Sequence, residues 1–153
     1  MSVEELDASC IPIAKLITII ARGQTTYLNH ELKDLDINST QLHLLFEISN
    51  RNDLNQEMIS SGCSIDKGAV ARSVKKLEEK GLVSRKVDED NRRQNKISLT
   101  QKGRKTLDES IGLLNKFEEE LIDESIIEKE LLQKALKEIA IRTMELNQNI
   151  KFK

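Results

Sequence analysis

The side chains best equipped for chemistry in this sequence are cations. Lys67, Arg72, Lys75 and Lys76 fall in one short run, Arg85 follows, and Arg92 and Arg93 stand side by side. Lysine ammonium groups neutralise phosphates, and an arginine fork can also grip a base edge, so a cluster of these types suits a polyanion. From Ser64 to Lys105 there are 13 Lys or Arg against 6 Asp or Glu, a local charge of +7; the 153-residue chain carries −2, leaving −9 to the remainder. The chain is not generally basic but has one local polyanion footprint. Charge alone is as readily a solvated face, so the elements that carry it decide.

Val70, Val74 and Leu77, with Ile65 a turn earlier, recur at helical spacing and make a narrow apolar stripe that must pack on other helices. The other side holds Lys67, Arg72, Lys75, Lys76 and Glu79, with Gly68, Ala69, Ala71 and Ser73 between them. Small residues near a helix N-terminus let the backbone come close to a surface while Lys and Arg reach past it, as a helix in a major groove requires. Ser64 or Asp66 can cap the start, and Gly81 supplies the left-handed residue beyond the end. Leu82, Val83, Arg85 and Val87 then read as a strand, Asp88 to Asn91 as a turn, and Ile97 with Leu99 as the returning strand. Arg92 and Arg93 project from or near the hairpin tip, where an arginine can enter a narrow minor groove.

Upstream, Ile13, Leu16, Ile17, Ile20, Gln24, Tyr27 and Leu28 describe a long first helix with Pro12 in its first turn; its isoleucine-rich face favours substantial burial, on the reading lobe, on a second chain, or on both. Asn38 and Gln41 form a candidate capping box for a helix through Leu42, Leu45 and Ile48, which ends in the polar loop Asn50 to Asp53. Asn55 to Ser60 begins a short helix with Met58 and Ile59 inward, and Ser61-Gly62 supplies a tight turn, so that this helix and the basic one form a helix-turn-helix. Asn55 and Gln56 at its start are candidate phosphate contacts, with plain helix capping the equal alternative. Thr100 caps a further helix through Leu107, Leu114 and Leu121, Asp123 to Ser125 interrupts it, and a last helix carries Ile127, Leu131, Leu136, Ile139, Leu146 and Ile150. These stripes exceed what a three-helix lobe can cover and predict an obligate twofold dimer with interleaved termini.

No nucleophile and base, zinc-protease pattern or nucleotide-binding loop is present in the sequence, so neither an enzyme nor a metal or cofactor site is expected. His43, on an apolar helix, reads as partly buried and not as a ligand. Cys10 and Cys63 lie too far apart to suggest a metal site or disulfide framework and are expected to be reduced thiols. The start is acidic and nothing approaches the roughly 18 apolar residues of a spanning helix, so a cytoplasmic protein without membrane contact is expected.

The stretch GAVARSVKKLEEKGLVSRKVDEDNRRQNKISLTQKG resembles the MarR family of bacterial winged helix-turn-helix transcriptional regulators. The resemblance rests on Leu77-Glu78, Gly81-Leu82-Val83, Arg85, Asp90-Asn91-Arg92 and Leu99-Thr100 with Gly103. The interval from Asp90 to Thr100 is one residue longer than in many members, which leaves Arg92 and Arg93 as alternatives for the groove-inserting position. The resemblance implies a mainly α fold with a small β-wing in a single domain over 1–153. Its winged helix-turn-helix lobe would span 36–103, and 9–35 with 104–150 would form a helical dimerisation lobe. It further implies a homodimer on a pseudo-palindromic operator in double-stranded DNA, most often as a repressor, with a small-molecule effector as an option. Asn55, Gln56, Lys67, Gly68, Arg72, Lys75, Lys76, Arg85, Arg92 and Arg93 would form the DNA-binding set. Some members sense zinc, for which two separated histidines are too few. Others use a reactive cysteine near the first helix; here an incidental Cys10 is expected, since Lys15 is its nearest basic residue in sequence. The competing reading is a winged-helix protein–protein interaction module without specific DNA binding, which titration of a random duplex at low salt separates from the first.

Overall fold

The computed structural model describes residues 3–50, 54–63, 66–87 and 95–151. After two short 3-10 turns the elements are α1 (Ile13–Glu31), a 3-10 turn (Leu32–Leu35), α2 (Ser39–Asn50), α3 (Gln56–Cys63), α4 (Lys67–Glu79), β1 (Val83–Val87), β2 (Asn95–Leu99), α5 (Gln101–Leu121) and α6 (Lys129–Lys151). They fall into two compact units, one up to Leu114 and one from Asn115. The fold is mainly helical with one two-stranded antiparallel sheet among the described residues, as the sequence predicts.

In the first unit, Leu42, Leu44 and Leu45 of α2, Ile59 of α3, and Val70, Val74 and Leu77 of α4 are fully buried together with Leu28 and Leu32. The apolar stripe of α4 is therefore the side that α2 and α3 cover. Local signals fix where these helices start. Gln41 N–H donates to Asn38 Oδ1 at 2.9 Å and Asn38 N–H donates back to Gln41 Oε1 at 3.2 Å, the reciprocal pair that satisfies two orphan donors of α2. Asp66 Oδ1 accepts from Ala69 N–H at 3.0 Å and caps α4; Ser64, the alternative cap, lies outside the described residues.

The end of α4 is equally local in origin. Gly81 has φ +71°, and Gly81 N–H to Glu78 O (2.9 Å) with Leu82 N–H to Leu77 O (2.9 Å) closes the helix in a Schellman arrangement. Lys80, the last residue before that turn, joins three segments. Its ammonium reaches the Asp36 carboxylate at 3.2 Å and the Asp36 carbonyl, while its own carbonyl accepts from Lys102 Nζ at 2.9 Å.

The second unit holds the end of α5 and all of α6. Asp123 Oδ1 accepts from Ser125 N–H at 2.9 Å in the connection, and Lys129 Nζ meets Glu118 Oε2 at 2.8 Å.

Several expectations need correction. Met58 is 43% exposed, because α3 has one covered face and that face is taken by Ile59 and Ser60. Ser61-Gly62 is not a turn: α3 runs on to Cys63, since one glycine weakens a helix without ending it. His43 is exposed on α2, while Leu42, Leu44 and Leu45 fill the core. Pro12 is the N-cap of α1 and not a residue of its first turn. Ile127 precedes α6, its N–H bonded to Asp123 O at 3.2 Å. Ile13 at 66% and Ile20 at 53% exposed leave the isoleucine-rich face of α1 uncovered by the reading lobe, which is one of the two surfaces expected to bury it.

Candidate nucleic-acid interface

Because Val70, Val74 and Leu77 face inward, the helical repeat places Gly68, Arg72, Lys75, Lys76 and Glu79 on the opposite, outer face of α4. Arg72, Lys75 and Lys76 are all exposed. Gly68 has a geometric role: a Cβ there would come within 3.3 Å of the Arg72 guanidinium and 3.1 Å of Asp66 Oδ1. The arginine thus lies back over the glycine, towards the N-terminal end of the helix. Among the described residues neither Arg72 nor Lys76 pairs with a carboxylate, whereas Lys75 Nζ stands 4.0 Å from Glu79 Oε1.

Lys67 is placed differently. Three residues before Val70 and seven before Val74, it continues their stripe towards α3, and its Nζ meets Glu57 Oε1 at 2.8 Å. That hydrogen bond, and then the charge attraction, lowers the Glu57 pKa below its ordinary value and raises that of Lys67. Asn55 Oδ1 accepts from Met58 N–H at 2.8 Å, so the side-chain oxygen caps α3, the alternative weighed for it. Gln56 is the first residue of α3 and partly buried.

The hairpin pairs Val83 with Leu99 through Val87 with Asn95. Val83, Ile97 and Leu99 are buried, and Ile97 N–H donates to Leu54 O at 2.8 Å, which ties β2 to the segment before α3. Arg85 sits in β1 with Nε 3.5 Å from Glu78 Oε2, so its guanidinium turns back towards the end of α4. Arg92 and Arg93 lie outside the described residues. At the root of the hairpin, Thr100 Oγ1 donates to Gly81 O at 2.6 Å and accepts from Gly103 N–H at 3.0 Å, which caps α5. A Cβ on Gly103 would meet Leu82 O at 1.9 Å. Only glycine permits this approach, a physical reason for the Leu-Thr-x-x-Gly spacing.

Sequence reasoning missed Glu57, for which no signal exists in one strand of text: its partner is ten residues away on another helix. Among the described residues no group of three or more His, Cys, Asp or Glu is placed to hold a metal, and no helix is long and apolar enough to cross a membrane. Cys10 is exposed, with Ser9 Oγ at 4.0 Å.

Two short helices, the second with a buried stripe and a cationic outer face, followed at once by a two-stranded wing, define a winged helix-turn-helix protein. The MarR family model matches residues 37–94. A Bacillus subtilis (strain 168) protein named as the uncharacterized HTH-type transcriptional regulator YybA is 34% identical over 93 residues, 61% of this chain and 62% of that protein. The match thus spans less than two thirds of that relative's length. The crystal structure of MarR superposes with a TM-score of 0.83 at 24% identity, covering 95% of this chain and 99% of that one. The Staphylococcus aureus MepR–DNA complex gives 0.75 at 21% identity, covering 88% and 98%. Over residues 37–94 the chain is similar to the MarR family, and its fold is that of the MarR and MepR structures.

Proposed function

We propose that this chain is a cytoplasmic transcriptional regulator that binds a pseudo-palindromic operator as a homodimer and acts as a repressor. The observation that carries the reading is the outer face of α4: Arg72, Lys75 and Lys76 are exposed, while Val70, Val74 and Leu77 on the opposite face are fully buried. Such a helix can enter a major groove without unfolding anything. The YybA name and the solution of MepR with DNA support it, as relatives of the same fold. In this reading Arg72 contacts base edges, and Lys75 and Lys76 contact phosphates. Gly68 permits close approach, and Asn55, Gln56 and Lys67 lie at the flank. Arg85 orients the wing, whose Arg92 and Arg93 are assigned to the minor groove from sequence alone.

The proposed lobes are 36–103 for reading and 9–35 with 104–150 for association. Each compact unit by itself leaves apolar side chains uncovered, Ile13, Ile17 and Ile20 in the first, Leu131, Leu146 and Ile150 in the second, and a second copy would cover them. Twofold pairing sets the two α4 helices roughly 34–36 Å apart to meet successive major grooves. The test is selection of bound duplexes from a random pool. An enriched inverted repeat with half-sites about 10 base pairs apart is expected, and a pool that stays random while the protein captures no duplex at low salt overturns the proposal.

A further inference from the structure

Of the cations on α4, Lys67 alone has its charge answered from a neighbouring helix among the described residues. Its Nζ is 2.8 Å from Glu57 Oε1, and the two side chains are 73% and 70% exposed. The pair bridges α3 and α4, so it is not the by-product of i,i+4 spacing that Lys75 and Glu79 are. It also places a carboxylate at the flank of α4 that faces α3, where a phosphate that approaches Lys67 meets it.

We infer that Glu57 is a specificity-determining residue: by occupying Lys67 it withdraws one cation from sequence-independent phosphate binding and leaves discrimination to the outer face of α4. The inference rests on the DNA-binding reading above. On an arbitrary duplex a phosphate that approaches Lys67 also meets the Glu57 carboxylate, whose negative charge offsets that of the ammonium. The non-specific complex is therefore built with one phosphate contact fewer than the number of cations suggests. Non-specific affinity comes almost wholly from such contacts, whereas base-edge bonds do not depend on them, so the pair lowers background binding more than operator binding. Glu57 also lies in the first turn of α3, where a carboxylate complements the helix dipole. That structural role alters stability but not the number of counterions released.

The test uses the full chain as wild type, Glu57→Gln, Lys67→Met and the double variant. Each is titrated by fluorescence anisotropy against a random-sequence duplex and against the duplex that the wild type enriches from a random pool, between about 50 and 200 mM salt. Glu57→Gln is expected to steepen the log–log salt slope on random duplex by about 0.9, the increment for one phosphate, and to lower the ratio of selected to random affinity. Lys67→Met leaves the wild-type slope unchanged, and the double variant returns to it. An unaltered slope in Glu57→Gln overturns the inference, as does a flattening of similar size in Lys67→Met alone. Weaker binding of only the selected duplex by Glu57→Gln also overturns it, by making Glu57 an acceptor for a base amine. Failure of the wild type to bind either duplex removes the DNA-binding reading itself, whereas wild-type binding with any of the three results removes the inference alone.

Discussion

Gly103 is held by a contact that leaves no space for a side chain, with the Leu82 carbonyl oxygen 1.9 Å from where its Cβ would stand. Gly103→Ala must move either the start of α5 or the root of the wing and is expected to cost about 1–3 kcal/mol, read as a lower denaturant midpoint at unchanged slope. Asp66→Ala removes the cap of α4 and should cost about 1 kcal/mol by the same measurement. Arg72→Ala, if this side chain reads a base, weakens selected-duplex binding by about 1–3 kcal/mol and relaxes preference at one position per half-site; equal loss on random duplex would reassign it to phosphate. The Glu57 and Lys67 pair has a definite acid sensitivity. Because the Glu57 pKa is lowered, the pair is present above the ordinary glutamate range and is lost as pH falls through the depressed value, so a carboxyl shift titration should give a midpoint below that of an unpaired glutamate. At this scale the sequence is legible wherever the partner is a near neighbour: Asn38 with Gln41, Asp66 with Ala69, and Gly81 with its positive φ. It is not legible for Glu57 with Lys67 or Arg85 with Glu78, whose meeting depends on how separate elements approach one another.

The wing is more than a protruding loop, because Ile97 is buried and its N–H extends the sheet to Leu54. Ile97→Ala should lower stability by about 2–5 kcal/mol, a core-sized effect from a hairpin residue. A loss below 1 kcal/mol would mean that the hairpin folds apart from the helices. Arg92→Ala and Arg93→Ala, tested separately, should differ: the variant that flattens the salt slope of duplex binding identifies the groove-inserting residue. Period-2 alternation and the turn residues made the strands readable, and the stripe through Val70, Val74 and Leu77 made α4 readable. The short α3 was read less well. With eight residues it offers few positions to fix a phase, so its pattern puts Met58 inward and makes the helical Gly62 look like a turn.

Ile13 at 66% in the first unit and Ile150 at 71% in the second are exposed, and the proposed second copy would cover such side chains. Sedimentation should show a dimer. Ile20→Glu should shift it towards monomer and weaken binding to a two-half-site duplex far more than to a single half-site, because the gain from linking two contacts is lost. A variant that stays dimeric would move the interface away from α1. The apolar patterns of α1 and α6 were plain in the sequence, but periodicity shows only that a face is apolar and not which surface covers it.

Lys80 fastens the far end of the basic helix to Asp36 on one side and Lys102 on the other. The opposite end is held as well, by Val70 in the core and by Lys67 on Glu57. Over its 13 residues, about 20 Å, the helix is therefore clamped like a beam at both ends. Adjustment to grooves of unequal width would then fall to the exposed side chains, Arg72 first, with the axis of the helix left in place.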